Sequence, residues 1–136
     1  METKFPKFSE LAKSEIISYT NYAIFLRNDN IVQINIKDNF DCEIADSKIM
    51  LDAIKQLSRG KKYPLLVLYS DFNSFTKEAK DFVAKSNETS ADALVGDGFA
   101  FKMVGNIYLR MNKPIRPTKL FNDVENALKW LEQFKE

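Results

Sequence analysis

The sequence predicts an α/β domain: a mixed sheet of about five strands with an N-terminal hairpin and parallel inner strands, packed with about four helices. Three observations predict it. After an opening pair of strand-like segments, the chain alternates between helical and strand periods, the pattern of βαβ units. The stretch YPLLVLYS, residues 63–70, is apolar at consecutive positions without alternation, as in a parallel strand covered on both faces. At 136 residues the chain has the length of one domain with one hydrophobic core.

Each element follows in order. Residues 1–18 read as an arm or short amphipathic helix around Phe8, Leu11 and Ile16, and residues 19–136 as the domain. YAIFLRNDNIVQINI, residues 22–36, reads as a hairpin around Asn28-Asp29-Asn30, residues that tolerate left-handed backbone angles. In its second strand Val32, Ile34 and Ile36 alternate with Gln33 and Asn35, which predicts one solvated face near a sheet edge. Ala23–Leu26 is likewise expected at an edge, where it would be free to pair in a homodimer. Residues 41–60 have helical spacing, with Ile44, Leu51, Ile54 and Leu57 on one side, Asp41 or Asp46 as cap and Gly60 as terminator.

After the buried strand, residues 75–86 form a second helix, with Phe75, Ala79, Phe82 and Val83 facing inward. ADALVG is a short strand. Residues 98–112 form a third helix carrying Phe99, Met103, Ile107 and Met111 at four-residue intervals as its core stripe, stopped before Pro114 and Pro117. PTKLF is the last strand. In the closing helix Asn122 and Glu125 have the spacing of a capping box, and Val124, Leu128, Leu131 and Phe134 supply the buried stripe.

Composition excludes several chemistries. Twenty basic and nineteen acidic residues leave a net charge of +1, so no global field points to nucleic acid or to a membrane surface. With no histidine, the Ser-His-Asp and Cys-His arrangements and the histidine-containing zinc sites are absent. A lone cysteine, Cys42, forms neither an internal disulfide nor a CxxC pair and fits a reducing compartment. No apolar run is long enough for a signal peptide or a membrane span. The expectation is a cytoplasmic, non-enzymatic domain without metal or cofactor.

Three local motifs carry a resemblance: YPLLV in the buried strand, SFTKEA at residues 74–79, and the closing segment from Gly105-Asn106-Ile107-Tyr108-Leu109 through Asn112-Lys113-Pro114 to Pro117-Thr118-Lys119-Leu120-Phe121. With the hairpin and the alternating elements, the chain from about Tyr19 onward resembles the STAS-like fold of bacterial anti-sigma-factor antagonists. It is most similar to small bacterial STAS-like proteins of an uncharacterised family. The resemblance implies a regulatory domain that binds another protein, such as a serine kinase or an anti-sigma factor. In the antagonists the corresponding helix opens with an Asp-Ser-Ser-Gly-type motif whose serine is phosphorylated, and the added charge switches binding. Here the helix opens Ser74-Phe75-Thr76-Lys77, with neither the Asp-Ser-Ser run nor the glycine.

Candidate sites follow. Ser74 and Thr76 stand near a helix N-terminus as phosphoacceptors or, more simply, as caps, and Lys77 and Lys80 extend the implied interaction surface. Asp71, Asn73 and Asp97 follow strands, where α/β proteins place ligand loops. Gly98 to Asn122 contains no acidic residue, so Arg110, Lys113, Arg116 and Lys119 are candidates for a small anionic ligand or a lipid headgroup, the alternative function. The bland reading of these cations is complementation of a helix C-terminus. Cys42 is a small apolar filler or a lowered-pKa thiol. Tyr108 and Trp130, off the proposed stripes, are candidates for a contact surface.

Overall fold

The computed structural model describes residues 16–135. The expected helix around Phe8 and Leu11 lies outside the described residues, and Ile16 directly precedes a strand. The strands are β1 (Ile17–Ser18), β2 (Tyr22–Leu26), β3 (Val32–Ile36), β4 (Asp41–Cys42), β5 (Leu65–Leu68), β6 (Ser74–Phe75), β7 (Asp92–Val95) and β8 (Thr118–Phe121). The helices are α1 (Ile44–Ser58), α2 (Lys77–Ala84), α3 (Gly98–Met111) and α4 (Val124–Leu131), with a 3-10 turn at Glu132–Phe134.

Six strands form the main sheet in the order β1-β2-β3-β5-β7-β8, and β4 pairs with β6 in a separate parallel ladder. Pairing is antiparallel from β1 to β3 and parallel from β3 through β8, as the hairpin and the unbroken aliphatic strand predict. The hairpin closes by Arg27 N–H donating to Ile31 O and Asn30 N–H to Arg27 O, with Asn30 in the left-handed region at φ 64°. The parallel strands end at one rim of the sheet, so the loops after β3, β5 and β7 gather there.

Two edge expectations are corrected. β1, drawn from the stretch assigned to the arm, pairs Ile17 with Ile24 and Ser18 with Ala23, so Ala23–Leu26 is not an edge strand. β3 lies inside the sheet and all five of its residues are buried. Gln33 and the side-chain oxygen of Asn35 are bonded in a side-chain relay instead of by water, while Asn35 Nδ2 is buried without a partner among the described residues. Arg27 Nη1 donates to Gln33 Oε1 at 2.7 Å, and Gln33 Nε2 donates to Asn35 Oδ1 at 2.8 Å. Polar side chains alternate in β3 because they bond one another, not because solvent lies over them.

The sheet divides the core. On one face Ile34, Ile36, Val67 and Leu94 pack with Met50, Ala53 and Ile54 of α1 and Ala79 and Ala84 of α2. On the other, Leu66, Leu68, Ala93 and Val95 pack with Ala127 and Leu131 of α4. A strand buried on both faces needs this, and Leu65–Leu68 meets it at every position. Helix ends differ from expectation in detail. Asp46 is not the cap of α1; Glu43 is, and Asp46 accepts its N–H at 2.9 Å. Asp123, not Asn122, caps α4, its carboxylate accepting the Asn126 N–H at 2.7 Å.

The largest correction concerns α3. Phe99, Met103, Ile107 and Met111 do not form its core stripe: they are 80%, 48%, 40% and 73% exposed. The inward face is Phe101, Gly105 and Tyr108. Gly105 sets the spacing, since a Cβ there would lie 2.7 Å from Leu120 Cδ1 on β8. Tyr108 is therefore a core residue and not a free contact surface. Trp130, half-buried, packs on Phe121 and Phe134 with ring centroids 5.6 and 4.8 Å away.

Candidate functional site

The rim at the ends of the parallel strands holds most of the sequence-predicted site residues, and side-chain bonds cross-tie its loops. Asp71 N–H donates to Asp38 Oδ1, and Asn39 N–H donates to Asp71 O, both at 2.9 Å. Asn73 reaches both ways: its Oδ1 accepts the Ser70 N–H at 2.8 Å and its Nδ2 donates to Lys37 O at 2.8 Å. Asn73 is therefore a loop-shaping residue. Phe72 forms the tip between them, with φ 59° and 81% exposure. A bulky side chain in the left-handed region is strained unless its surroundings fix it, and the bonds on either side do so.

Ser74 lies in β6, where its hydroxyl donates to Asp41 Oδ1 at 2.5 Å. A phosphoryl group there would replace that donated proton by negative charge beside a carboxylate. Thr76 caps α2, its Oγ1 accepting the Ala79 N–H at 3.1 Å. Lys77 is exposed and Lys80 half-buried. Asp97 occupies the cap position of α3 without a side-chain cap bond and stays exposed.

Of the basic residues of the closing segment, Arg116 is withdrawn from the surface. Arg116 is buried, with Nη2 2.6 Å and Nε 2.8 Å from Asp92 Oδ2, and Nη1 donates to the Val83 and Ser86 carbonyls at 2.8 and 3.1 Å. Buried and turned toward Asp92 and two backbone carbonyls, that guanidinium is not presented to a surface anion. Lys119 lies over the Phe121 ring at 5.4 Å, and Arg110 and Lys113 are exposed. Cys42 is buried against Ser47 and burial pushes its thiol up to about 11, so it is a filler rather than a reactive thiol. Among the described residues no cluster of Cys, Asp and Glu is placed to hold a metal ion.

Sequence reasoning misses two features. One is the outward apolar row of α3. Its signal was present, because Phe99, Phe101, Met103, Val104, Ile107, Tyr108 and Met111 make the helix apolar around most of its circumference, and such a helix has two faces to satisfy. The other is a cavity of about 380 Å³ enclosed by α3, the sheet, and residues of α1 and α2, with Asp71, Phe72 and Asp97 of the rim in its lining. Tyr69 and Tyr108 both line it. Burial pushes the Tyr108 hydroxyl up to about 12, against the pull of the Arg116 guanidinium beside it, and burial raises that of Tyr69 further.

A solved structure with the same arrangement is that of an uncharacterised protein from the DUF3478 family with a SpoIIAA-like fold, from Shewanella loihica PV-4. It aligns at TM-score 0.58 over 86% of this chain and 99% of that one, with 16% identity. A likeness at that identity shows the fold, which is SpoIIAA-like and hence STAS-like. A protein with unknown function from Arthrobacter sp. FB24 is 23% identical over 80% of this chain and 97% of that one, but its TM-score is 0.31. No curated protein matches the chain. No helix among the described residues is long and apolar enough to cross a membrane. The family model described as "Domain of unknown function (DUF7793)" matches residues 24–135, and the chain belongs to that family.

Proposed function

We propose that this STAS-like domain is a non-enzymatic interaction module of the regulatory kind, and that it engages a protein through the outward face of α3. One observation carries the reading: Phe99, Met103, Ile107 and Met111, with Val104 beside them, form an exposed apolar row along the helix. The row runs roughly 18 Å at the helical rise per residue. Exposed apolar surface in single residues is ordinary, but a contiguous row is not.

The charge around the row selects the partner. Lys102 and Arg110 flank it, and no acidic residue occurs between Gly98 and Asn122. The complementary surface is therefore apolar with carboxylates at its margins, as on an acidic amphipathic helix. This moves the interaction surface from α2, where the antagonist resemblance sets it, to the neighbouring α3. Phe72, exposed at the rim near the start of α3, is a secondary contact. Anion binding by the closing segment has less support, because Arg116 is consumed by Asp92.

The test compares wild-type chain with the triple variant F99S/M103S/I107S, both immobilised for capture from the source cell. The captured protein is then purified and titrated against each. Wild type should bind, the triple variant should lose at least tenfold in affinity at unchanged melting temperature, and Lys102→Glu should weaken binding in a salt-dependent way. Undiminished binding by the triple variant would overturn the reading. So would a sedimentation experiment in which the only species masking the row is a second copy of the chain.

A further inference from the structure

We infer that the space beneath α3 is a binding site for a small, uncharged amphiphile: an apolar body with one hydrogen-bonding oxygen directed at Tyr69. The inference concerns the inner side of the helix and is independent of the partner proposed for its outer side.

Size comes first. Protein interiors pack as densely as organic crystals, with few voids larger than a water molecule. A space of about 380 Å³ in a chain of 136 residues is of a different order, and falls in the range of small-molecule sites. Since an apolar cavity of about 150 Å³ holds a benzene molecule, this one holds on the order of fifteen non-hydrogen atoms. Its origin is visible in the packing of α3. The helix comes close to the sheet where Gly105 meets Leu120 of β8, the edge strand, and bridges outward from there over Leu94 and Val67.

Chemistry comes next. The floor is Ile34, Val67 and Leu94, and the walls are Phe101 of α3, Ile54 of α1 and Val83 of α2, so the body of the ligand is apolar. The polar groups deep in the cavity are mostly spoken for. Arg116, Asp92 and Thr89 bond one another, Thr89 Oγ1 donating to Asp92 Oδ1 at 2.6 Å and Arg116 to Oδ2. Tyr69 is the exception. Its ring is fixed by Phe75 and Phe101, with centroids 5.7 and 5.5 Å away. Its hydroxyl makes no hydrogen bond among the described residues, and the residue lines the cavity. A rigid, protonated phenol facing an apolar space is a donor awaiting an acceptor oxygen. The mouth carries Asp71 and Asp97 against Lys80, an excess of carboxylates that disfavours an anionic end. Hydroxyl or carbonyl compounds fit; fatty acids and phosphates do not.

The shared chemistry is met by a medium-length chain alcohol or by a hydroxylated ring system. Calorimetric titration of the full chain with 1-octanol, 1-naphthol, naphthalene and octanoate separates them. One of the two oxygenated neutral probes should bind with one-to-one stoichiometry, its identity giving chain or ring as the source, and octanoate should bind at least tenfold more weakly than 1-octanol. Leu94→Phe, which fills the floor, should abolish binding without lowering the melting temperature, and Val67→Phe repeats the test should that variant fold poorly. Tyr69→Phe keeps the ring and should weaken whichever oxygenated probe binds about fivefold, since one hydrogen bond is at stake, and should leave any naphthalene binding unchanged. M103S/I107S, on the outer face, should bind the probes as wild type does. The inference is overturned if neither neutral oxygenated probe binds, if binding survives both floor-filling variants, or if Tyr69→Phe alters neither probe.

Discussion

Arg116 and Asp92 form an ion pair inside the domain, 2.6 Å apart, with side chains 4% and 3% exposed. Asp92 opens β7 and Arg116 stands just before β8, so the pair joins two neighbouring strands, and the Arg116 bonds to the Val83 and Ser86 carbonyls add the C-terminal end of α2. Removing one partner strands the other charge in the core. Asp92→Ala should destabilise by about 3–5 kcal/mol, read as a shifted urea midpoint, whereas replacing both residues by apolar ones of similar volume should cost much less. An equal loss in the two variants would mean that packing, not charge, dominates the site.

Gly105 is a spacing residue. Gly105→Val would drive methyl groups into Leu120, and should cost about 1–3 kcal/mol in chemical denaturation. Met103→Ser, two residues earlier on the outer face, should change stability by no more than about 0.5 kcal/mol. The contrast checks which face of α3 is inward, without reference to any ligand.

The cap of α4 should be visible in acid. The Asn126 backbone N–H, donating to Asp123, holds its carboxyl below the ordinary carboxylate range. A carboxylate depressed on folding contributes stability that is fully present above its unfolded pKa and lost as pH falls through the folded value. Thermal melts between about pH 5 and pH 2 should therefore show a loss that Asp123→Asn reduces. Identical acid profiles would show that the cap does not titrate with folding.

Cys42 should be inert until the chain unfolds. Its thiol, pushed up to about 11 from the usual 9.0 by burial, has about a hundredfold less thiolate at neutral pH than an unfolded cysteine. An aromatic disulfide reagent at mildly alkaline pH should label it at least that much faster in strong denaturant. Rapid labelling of native protein would place the thiol outside the core.

Much of the scaffold was legible because its signals are local. An unbroken Leu65–Leu68 run is hard to satisfy except between two layers, and Thr76 caps its helix through its own hydroxyl. What was not legible depends on partners far away in sequence. Gln33 and Asn35 look solvent-facing until Arg27 is set beside them. Arg116 looks like a surface cation until Asp92, 24 residues earlier, is placed against it. Period alone chose the wrong stripe on α3, because four-residue spacing fits the outer row better than the inner one, whose contact is made by a glycine. The cavity has no sequence signal at all, since it is a space that several elements leave between them.

The small ladder of β4 with β6 has a mechanical consequence. Ser74 N–H donates to Phe40 O and Thr76 N–H to Cys42 O, both at 3.0 Å, so the Phe72 loop is buckled to the chain that enters α1. The tip cannot swing alone: widening the rim means unfastening that buckle first. Two amide hydrogens, at Ser74 and Thr76, therefore keep a clock on the rim, and their exchange with deuterium should run at one common rate.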